Sequence, residues 1–338
     1  MVKLSILVPA YNAEKYILDN LNSIKRQTYS NWEVVVVNDG STDNTEALVN
    51  SFINSNPTLQ ISLISIPNGG LANARNVAFS NCTGDYFCNL DADDFLEPKT
   101  LQFVAEAYEK EACDVYYFDI IDYNEQTGCK TNFSDRFEKP EQTLKGIDAA
   151  ILKLKRKIWI CQGVAFYNSE LIRKSELKNI PGINQGEDMY FITSALALAD
   201  KVKYIYYAGT DIRYRSDSMM HSCFNESFLQ CLQAIDNLLT HCKDLNIPDD
   251  KYGDFISLIK RERILQELRI AKSICDGWGI KFSYSDTLRK LKGYSWIISD
   301  ANPRILSLLS KSHRAQYYLN RYIPSAFILL TRLHRRLS

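Results

Sequence analysis

The sequence predicts a doubly wound α/β domain, a mostly parallel sheet flanked by helices, followed by a helical C-terminal extension. Three observations carry this. Strand-like and helix-like patterns alternate through the first 120 residues. One strand, Trp32-Glu-Val-Val-Val-Val37, has four consecutive valines, as expected of a parallel strand buried on both faces. Polar and turn-forming residues collect in the loops after the strands, where sheets of this class bind their ligands.

The elements follow in order. Residues 4–9 form a short apolar run closed by Pro9. Over 14–27, Tyr16, Ile17, Asn20, Leu21 and Ile24 recur at helical spacing. After the valine strand, Asn38-Asp-Gly-Ser-Thr-Asp43 is a turn, and Thr42 or Asp43 can cap the helix over 46–53. Residues 59–66 read as a third strand. Asn68-Gly-Gly70 is a turn ahead of a helix over 71–80. A fourth strand over 85–90 runs into Asp91-Ala-Asp93-Asp94, followed by a helix over 98–111 and a strand over 114–121. Residues 124–143 are polar, with Gly128 and Pro140, and are expected to be a mobile loop. Mixed helix and strand return over 146–207. Beyond 224, the segments 224–245, 249–275 and 284–298 are helical, suited to a dimer interface or a lid.

Length and charge bound the function. A chain of 338 residues fits one large domain or two. With 40 basic and 40 acidic residues, nothing suggests a nucleic-acid partner. The zero is composite. No acid follows Asp300, and residues 301–338 hold seven bases, so a body of net −7 carries a tail of net +7. Nine scattered cysteines without a CxxC pair suit a reducing compartment. There is no signal-like segment and no run of 18 apolar residues, so the expected location is cytoplasmic.

The chemistry should lie in the strand-end loops. Asp91, Asp93 and Asp94 crowd three carboxylates at the end of an apolar strand, a costly arrangement that a cation relieves. Oxygen-only ligands suit Mg²⁺ or Mn²⁺, which also bind phosphate oxygens. The alternative is a solvated turn capping the next helix. Asp39 ends the valine strand where a carboxylate can accept from a base or ribose; turn chemistry explains its neighbours but does not require it. Arg75 follows Gly69-Gly70 onto a helix and could reach a pyrophosphate. Glu187 and Asp188 at a helix start read either as dipole caps or as a general base. No GxGxxG or GxxxxGK[ST] occurs, which argues against dinucleotide and P-loop binding.

Together, Leu7-Val-Pro-Ala-Tyr-Asn12, Val37-Asn-Asp-Gly-Ser-Thr-Asp43, Gly70-Leu-Ala-Asn-Ala-Arg-Asn76, Leu90-Asp-Ala-Asp-Asp94 and Gly186-Glu-Asp188 resemble, in order and spacing, the GT-A glycosyltransferases of family 2. The resemblance covers about 1–220, which it marks as the nucleotide-sugar-binding catalytic domain, with 221–338 as the helical extension.

The resemblance implies an inverting transfer from a UDP-sugar to a hydroxyl of a polysaccharide or lipid-linked glycan acceptor, as in bacterial capsule and surface-glycan assembly. Pro9, Ala10, Tyr11 and Asp39 are then expected at the uracil and ribose, and Asn68 and Arg75 at the base and pyrophosphate. Asp91 would face the ribose or sugar, Asp93 would bind the divalent cation, and Asp94 would be a reserve ligand or a sugar contact. Asp188 would be the catalytic base, with Glu187 beside it. Some members of the fold carry a histidine ligand on the loop where His221 falls; the alternative is an exposed loop histidine. Trp159, Cys161 and Gln162 precede a strand in a region that often lines the acceptor cleft; a core tryptophan is the alternative. A sugar nucleotidyltransferase and a sugar-binding module without turnover are the competing functions. The basic tail suits a helix grouping Phe327, Leu330 and Leu333 or His334 against an anionic inner membrane surface; the alternative is a helix packed on the protein with a solvated basic edge.

Overall fold

The computed structural model describes residues 1–214, 226–276 and 301–337, and the chain divides into two compact units, Met1–Arg215 and Ser216–Ser338. His221 lies outside the described residues, as does the helix expected over 284–298.

The first unit is built on a ten-stranded sheet. Its first half contains β1 (Leu4–Ala10), α1 (Ile17–Lys25), β2 (Trp32–Asp39), α2 (Thr45–Ser55), β3 (Ile61–Ile66), α3 (Leu71–Asn81), β4 (Tyr86–Asn89), β5 (Phe95–Leu96) and α4 (Thr100–Lys110). Then come β6 (Val115–Asn124), β7 (Lys130–Asn132), β8 (Leu144–Lys145), α5 (Gly146–Leu154), β9 (Ala165–Asn168), α6 (Ser169–Lys174), α7 (Glu187–Leu198) and β10 (Lys201–Tyr214). Along the sheet the order is β3-β2-β1-β4-β9-β6-β10-β5, with β7 on β6 and β8 on β10.

The valines behave as the run requires. Val34, Val35, Val36 and Val37 are all buried, and β2 lies between two parallel neighbours, pairing Val36 with Val8 and with Leu63. Such a strand buries apolar side chains on both faces and satisfies its backbone on both edges. The chain steps outward from β1 through β2 to β3, then returns to β4 on the other side of β1. That reversal opens a crevice beyond the ends of β1 and β4.

Past β4 the sheet is mixed. β9 inserts antiparallel between β4 and β6, β6 and β10 run parallel, and β5 pairs antiparallel with β10 through Thr210–Leu96 and Asp211–Phe95. The segment expected as a mobile loop over 124–143 is ordered instead. β7 returns along β6, a 3-10 turn spans Phe133–Arg136, and Ser134 Oγ accepts the Ile120 N–H at 3.0 Å. Lys130 Nζ reaches Asp211 at 2.5 Å and Glu97 at 2.8 Å. The polar residues that gave the segment a loop-like composition thus have defined partners.

The second unit is helical: α8 (Gln230–His241), α9 (Asp249–Asp276), α10 (Pro303–Ser307), α11 (Lys311–Tyr322) and α12 (Pro324–Leu337). Side-chain caps set the starts of α10 and α11. Asn302 Oδ1 accepts the Ile305 N–H at 3.0 Å, and Ser310 Oγ accepts the His313 N–H at 3.2 Å. Of the apolar tail face expected from the sequence, the Leu333 and His334 side chains lie outside the described residues, and the rest is divided. Phe327 and Ile328 pack with Leu232, Ile270 and Ile274 in the unit's own core, while Leu330 is exposed. Among the described residues, no helix is long and apolar enough to cross a membrane.

Candidate active site

Four loops meet at the crevice. β1 ends with buried Pro9 and Ala10, and the loop after it presents an exposed Tyr11. Asn12 takes a left-handed φ of 49°, a conformation asparagine tolerates. Its N–H donates to Ser41 Oγ at 3.0 Å, and its Oδ1 accepts the Thr42 N–H at 2.8 Å. The loops after β1 and β2 are thereby tied together.

Asp39, at the end of β2, is buried and braces the neighbouring loop. Its two carboxylate oxygens accept the Gly69 and Gly70 N–H groups at 2.7 and 2.9 Å. The exposed Asn68 donates through Nδ2 to the Asp39 carbonyl at 3.1 Å. Gly40 has a φ of +68°, and a Cβ there would come within 2.7 Å of the Asn68 nitrogen. The turn therefore needs glycine for both its dihedral and its close approach.

The acidic loop after β4 is held mainly by its carbonyls. The buried Asn20 of α1 donates through Nδ2 to the Asp91 and Asp94 carbonyls at 3.0 and 2.8 Å. Arg213 of β10 donates through Nε to the Asp93 carbonyl at 3.1 Å. Asp94 is buried, and its Oδ1 accepts the Arg213 backbone N–H at 2.9 Å. Burial, with the Asp93 and Asp91 carboxylates beside it, pushes the Asp94 carboxyl well above the usual range.

Arg75 of α3 joins this loop to α7. Its side chain is 2% exposed. Nη1 donates to Glu187 Oε1 at 3.0 Å and to Asp188 Oδ1 at 3.1 Å, while Nη2 donates to Asp91 Oδ1 at 3.0 Å. Nε is buried without a hydrogen-bond partner. Burial works against the guanidinium's charge, but Asp91, Asp188 and Glu187 outweigh it and raise the pKa. One cation faces three carboxylates, so the acids are undercompensated. Burial and the neighbouring Asp188 push Glu187 up to about 7 despite Arg75. Asp188 and Asp91 keep substantial exposure, at 41% and 47%, so both open toward solvent while anchored from behind.

The segment 159–162 runs beside these acids. The Cys161 thiol is raised by burial and then by the Asp188, Asp94 and Asp91 carboxylates. Trp159, two residues earlier, is exposed and packs edge-on to Phe133 at 5.1 Å and tilted to Phe137 at 5.4 Å. Gln162 lies elsewhere than the cleft surface expected for it. It is buried, accepting from Asn89 Nδ2 at 2.5 Å and donating to Asn179 Oδ1 at 3.3 Å. Arg75 likewise is turned onto protein acids, whereas the sequence suggested a pyrophosphate contact. Asn20 entered the sequence reading only as a helix position, and Arg213 did not enter it. Their sole signal is a polar residue on an otherwise apolar face and an arginine near a strand end.

The donor set suits a hard divalent cation shared with a ligand. Among the described residues the candidate ligands are all carboxylate oxygens. Among the described residues no group of three His, Cys, Asp or Glu could hold an ion by itself. Asp94 is engaged with Arg213, which leaves the loop suited to completing its coordination with phosphate oxygens.

Comparison with known proteins fits this geometry. The family model for glycosyl transferase family 2 matches residues 5–173. The poly(ribitol-phosphate) beta-N-acetylglucosaminyltransferase TarS of Staphylococcus aureus is 29% identical over 243 residues, covering 70% of this chain and 40% of TarS. The chain thus spans two fifths of the length of that relative. The crystal structure of S. aureus TarS 1–349 in complex with UDP-GlcNAc matches with a TM-score of 0.74 at 19% identity, covering 99% of this chain and 92% of that one. The mannosyltransferase PcManGT from Pyrobaculum calidifontis, in complex with GDP-Man and Mn²⁺, gives 0.56 at 14% identity, covering 98% and 86%. At these identities the structural matches establish the GT-A fold.

Replacing Arg75 by Met should leave three acids around an apolar side chain and cost about 3–5 kcal/mol of stability. Arg75→Lys should recover only part, because one ammonium cannot reproduce the forked contacts. Urea unfolding of both variants measures the difference.

Proposed function

The chain belongs to glycosyl transferase family 2, and from that membership and the site's geometry we propose that it transfers a sugar from a UDP-sugar to a hydroxyl of a glycan acceptor with inversion at the anomeric carbon. The observation that carries the reading is the Arg75 bridge, which ties the acidic loop after β4 to Asp188 at the start of α7. A donor site and a base must stand at such a separation for one displacement to occur between them. The TarS structure with bound UDP-GlcNAc supports a UDP-sugar donor for this chain.

In this reading Pro9, Ala10 and the exposed Tyr11 flank the uracil, with Asp39 and Asn68 beneath it and the ribose. Asp91 faces the ribose or sugar, and Asp94 shapes the loop from inside. Asp93 would hold Mn²⁺ or Mg²⁺, with the donor diphosphate completing the set; the metal-bound structure of PcManGT supports such a cation. When bound, the cation neutralises charge developing on the leaving UDP. The acceptor hydroxyl attacks the anomeric carbon from the face opposite UDP. A new carbon–oxygen bond forms as the bond to the UDP oxygen breaks, and Asp188 takes the hydroxyl proton. Glu187, protonated below about pH 7, lowers the negative charge beside that base. Trp159 offers an aromatic surface on which an acceptor sugar can stack. Family membership displaces the nucleotidyltransferase reading.

We also propose that the second unit rests on an anionic membrane surface on the cytoplasmic side, near a lipid-linked acceptor. Lys311, Tyr318 and Tyr322 lie along one exposed face of α11, flanked by Arg314 and Arg321, and no acid occurs in 301–338. Arg321 lies over the Tyr322 ring at 5.7 Å. Bases interleaved with exposed tyrosines suit a headgroup layer.

Asp188→Asn should lower transfer by about 10²–10⁴-fold while UDP binding persists; full transfer by this variant would remove the base assignment. Lys311→Glu with Arg314→Glu should weaken sedimentation with phosphatidylglycerol vesicles by about 10-fold or more. Equal binding by the wild-type chain to phosphatidylglycerol and phosphatidylcholine vesicles would contradict the membrane reading.

A further inference from the structure

Arg213 is the most densely connected side chain near the acidic loop, and the transfer mechanism assigns it no role. It is 7% exposed at the end of β10. Its backbone N–H donates to Asp94 Oδ1 at 2.9 Å and its Nε to the Asp93 carbonyl at 3.1 Å. Its Nη1 donates to Glu125 Oε1 and its Nη2 to Asp19 Oδ2, each at 2.9 Å. The guanidinium also lies 5.0 Å from the Tyr16 ring centre, 5.5 Å from Phe95 and 5.7 Å from Tyr123.

These partners come from separate parts of the unit. Asp19 and Tyr16 belong to α1 and the turn before it. Glu125 and Tyr123 belong to the β6–β7 hairpin, and Phe95 opens β5. The hairpin has its own anchor in Lys130, which pairs with Asp211 two residues before Arg213. Antiparallel pairing of Asp211 with Phe95 then fixes β10 to the strand directly after the acidic loop. Asn20 holds the Asp91 and Asp94 carbonyls, and Arg213 holds the Asp93 carbonyl. The loop's backbone is therefore clamped between α1 and β10.

We propose that Arg213 is a positioning residue, which fixes the Asp91–Asp94 backbone in the shape that takes the cation together with the donor diphosphate. This rests on the reading of Asp93 as the cation's holder. A clamp on a carbonyl next to a ligand side chain acts as outer-shell partners of metal sites do. It removes freedom from the ligand before the ion arrives. Two of its anchors, Asp19 and Glu125, are substantially exposed, so the clamp can be loosened from outside without opening the core.

The test is the gain in UDP affinity that Mn²⁺ provides, read by calorimetric titration of the full chain with UDP in Mn²⁺ and in EDTA. Arg213→Met should reduce that gain by about 10-fold or more and leave UDP affinity in EDTA unchanged. Arg213→Lys should recover part of the gain. The double variant Asp19→Asn with Glu125→Gln keeps the arginine and its neighbours; it should reduce the gain by a smaller factor in a chain whose circular dichroism matches wild type. It carries the test if Arg213→Met does not fold. An undiminished Mn²⁺ gain in folded Arg213→Met, or in the double variant where Arg213→Met is unfolded, overturns the proposal. Asp93→Asn separates the premise: retention of the gain in this variant sinks the cation reading itself. Loss of the gain there, with an undiminished gain in the Arg213 variants, sinks only the clamp.

Discussion

A single buried guanidinium sets the arrangement of the candidate site. Arg75 carries one positive charge and holds carboxylates from the loop after β4 and from the start of α7. A buried arginine without such partners would be costly, and so would the acids without it. The bridge therefore imposes a separation. Wherever Asp91 stands, Asp188 stands one guanidinium away. That is a useful constraint for the proposed inverting transfer, in which leaving group and base lie on opposite sides of one carbon. The cost is a cluster with more acid than base, and burial with the Asp188 carboxylate beside it pushes Glu187 up to about 7.

The remaining loops follow a related logic. Two are held by a group that is itself fixed in the sheet or a packed helix, and one by a neighbouring loop. Asp39 grips two glycine N–H groups, Asn20 two carbonyls, and Asn12 the next loop over. Such contacts keep the crevice shaped without drawing on the exposed sides of Asp91, Asp188 and Tyr11. Rigidity sits behind the site and polar reach in front of it, the arrangement expected where a ligand must be oriented rather than merely caught.

The parallel half of the fold was legible in the sequence because its signals are local. The valine run, the helical spacings and the strand-end turns each lie within a few residues, and β1 to β4 form where they point. The strand-end loops are brought together as the reversal at β1 and β4 requires. The β6–β7 hairpin was not legible. Its stability comes from Lys130 meeting Asp211 and Glu97, partners 81 and 33 residues away. The same reason hid the partners of Arg75 and the burial of Gln162. A motif shows that an arginine stands near a helix start, but not that acids more than 100 residues later will occupy it. In the tail, helical periodicity grouped Phe327 with Leu330, but which part of a helix faces a core depends on neighbours that periodicity does not name.

The central claim is that the acidic loop, held by Arg75, forms a cation-dependent UDP-sugar site. The most direct measurement is UDP release by the unmodified chain from a panel of UDP-sugars, in Mn²⁺ and in EDTA. The account predicts release from at least one donor in Mn²⁺, falling to background in EDTA and returning when Mn²⁺ is restored. Release that proceeds equally well in EDTA would contradict it.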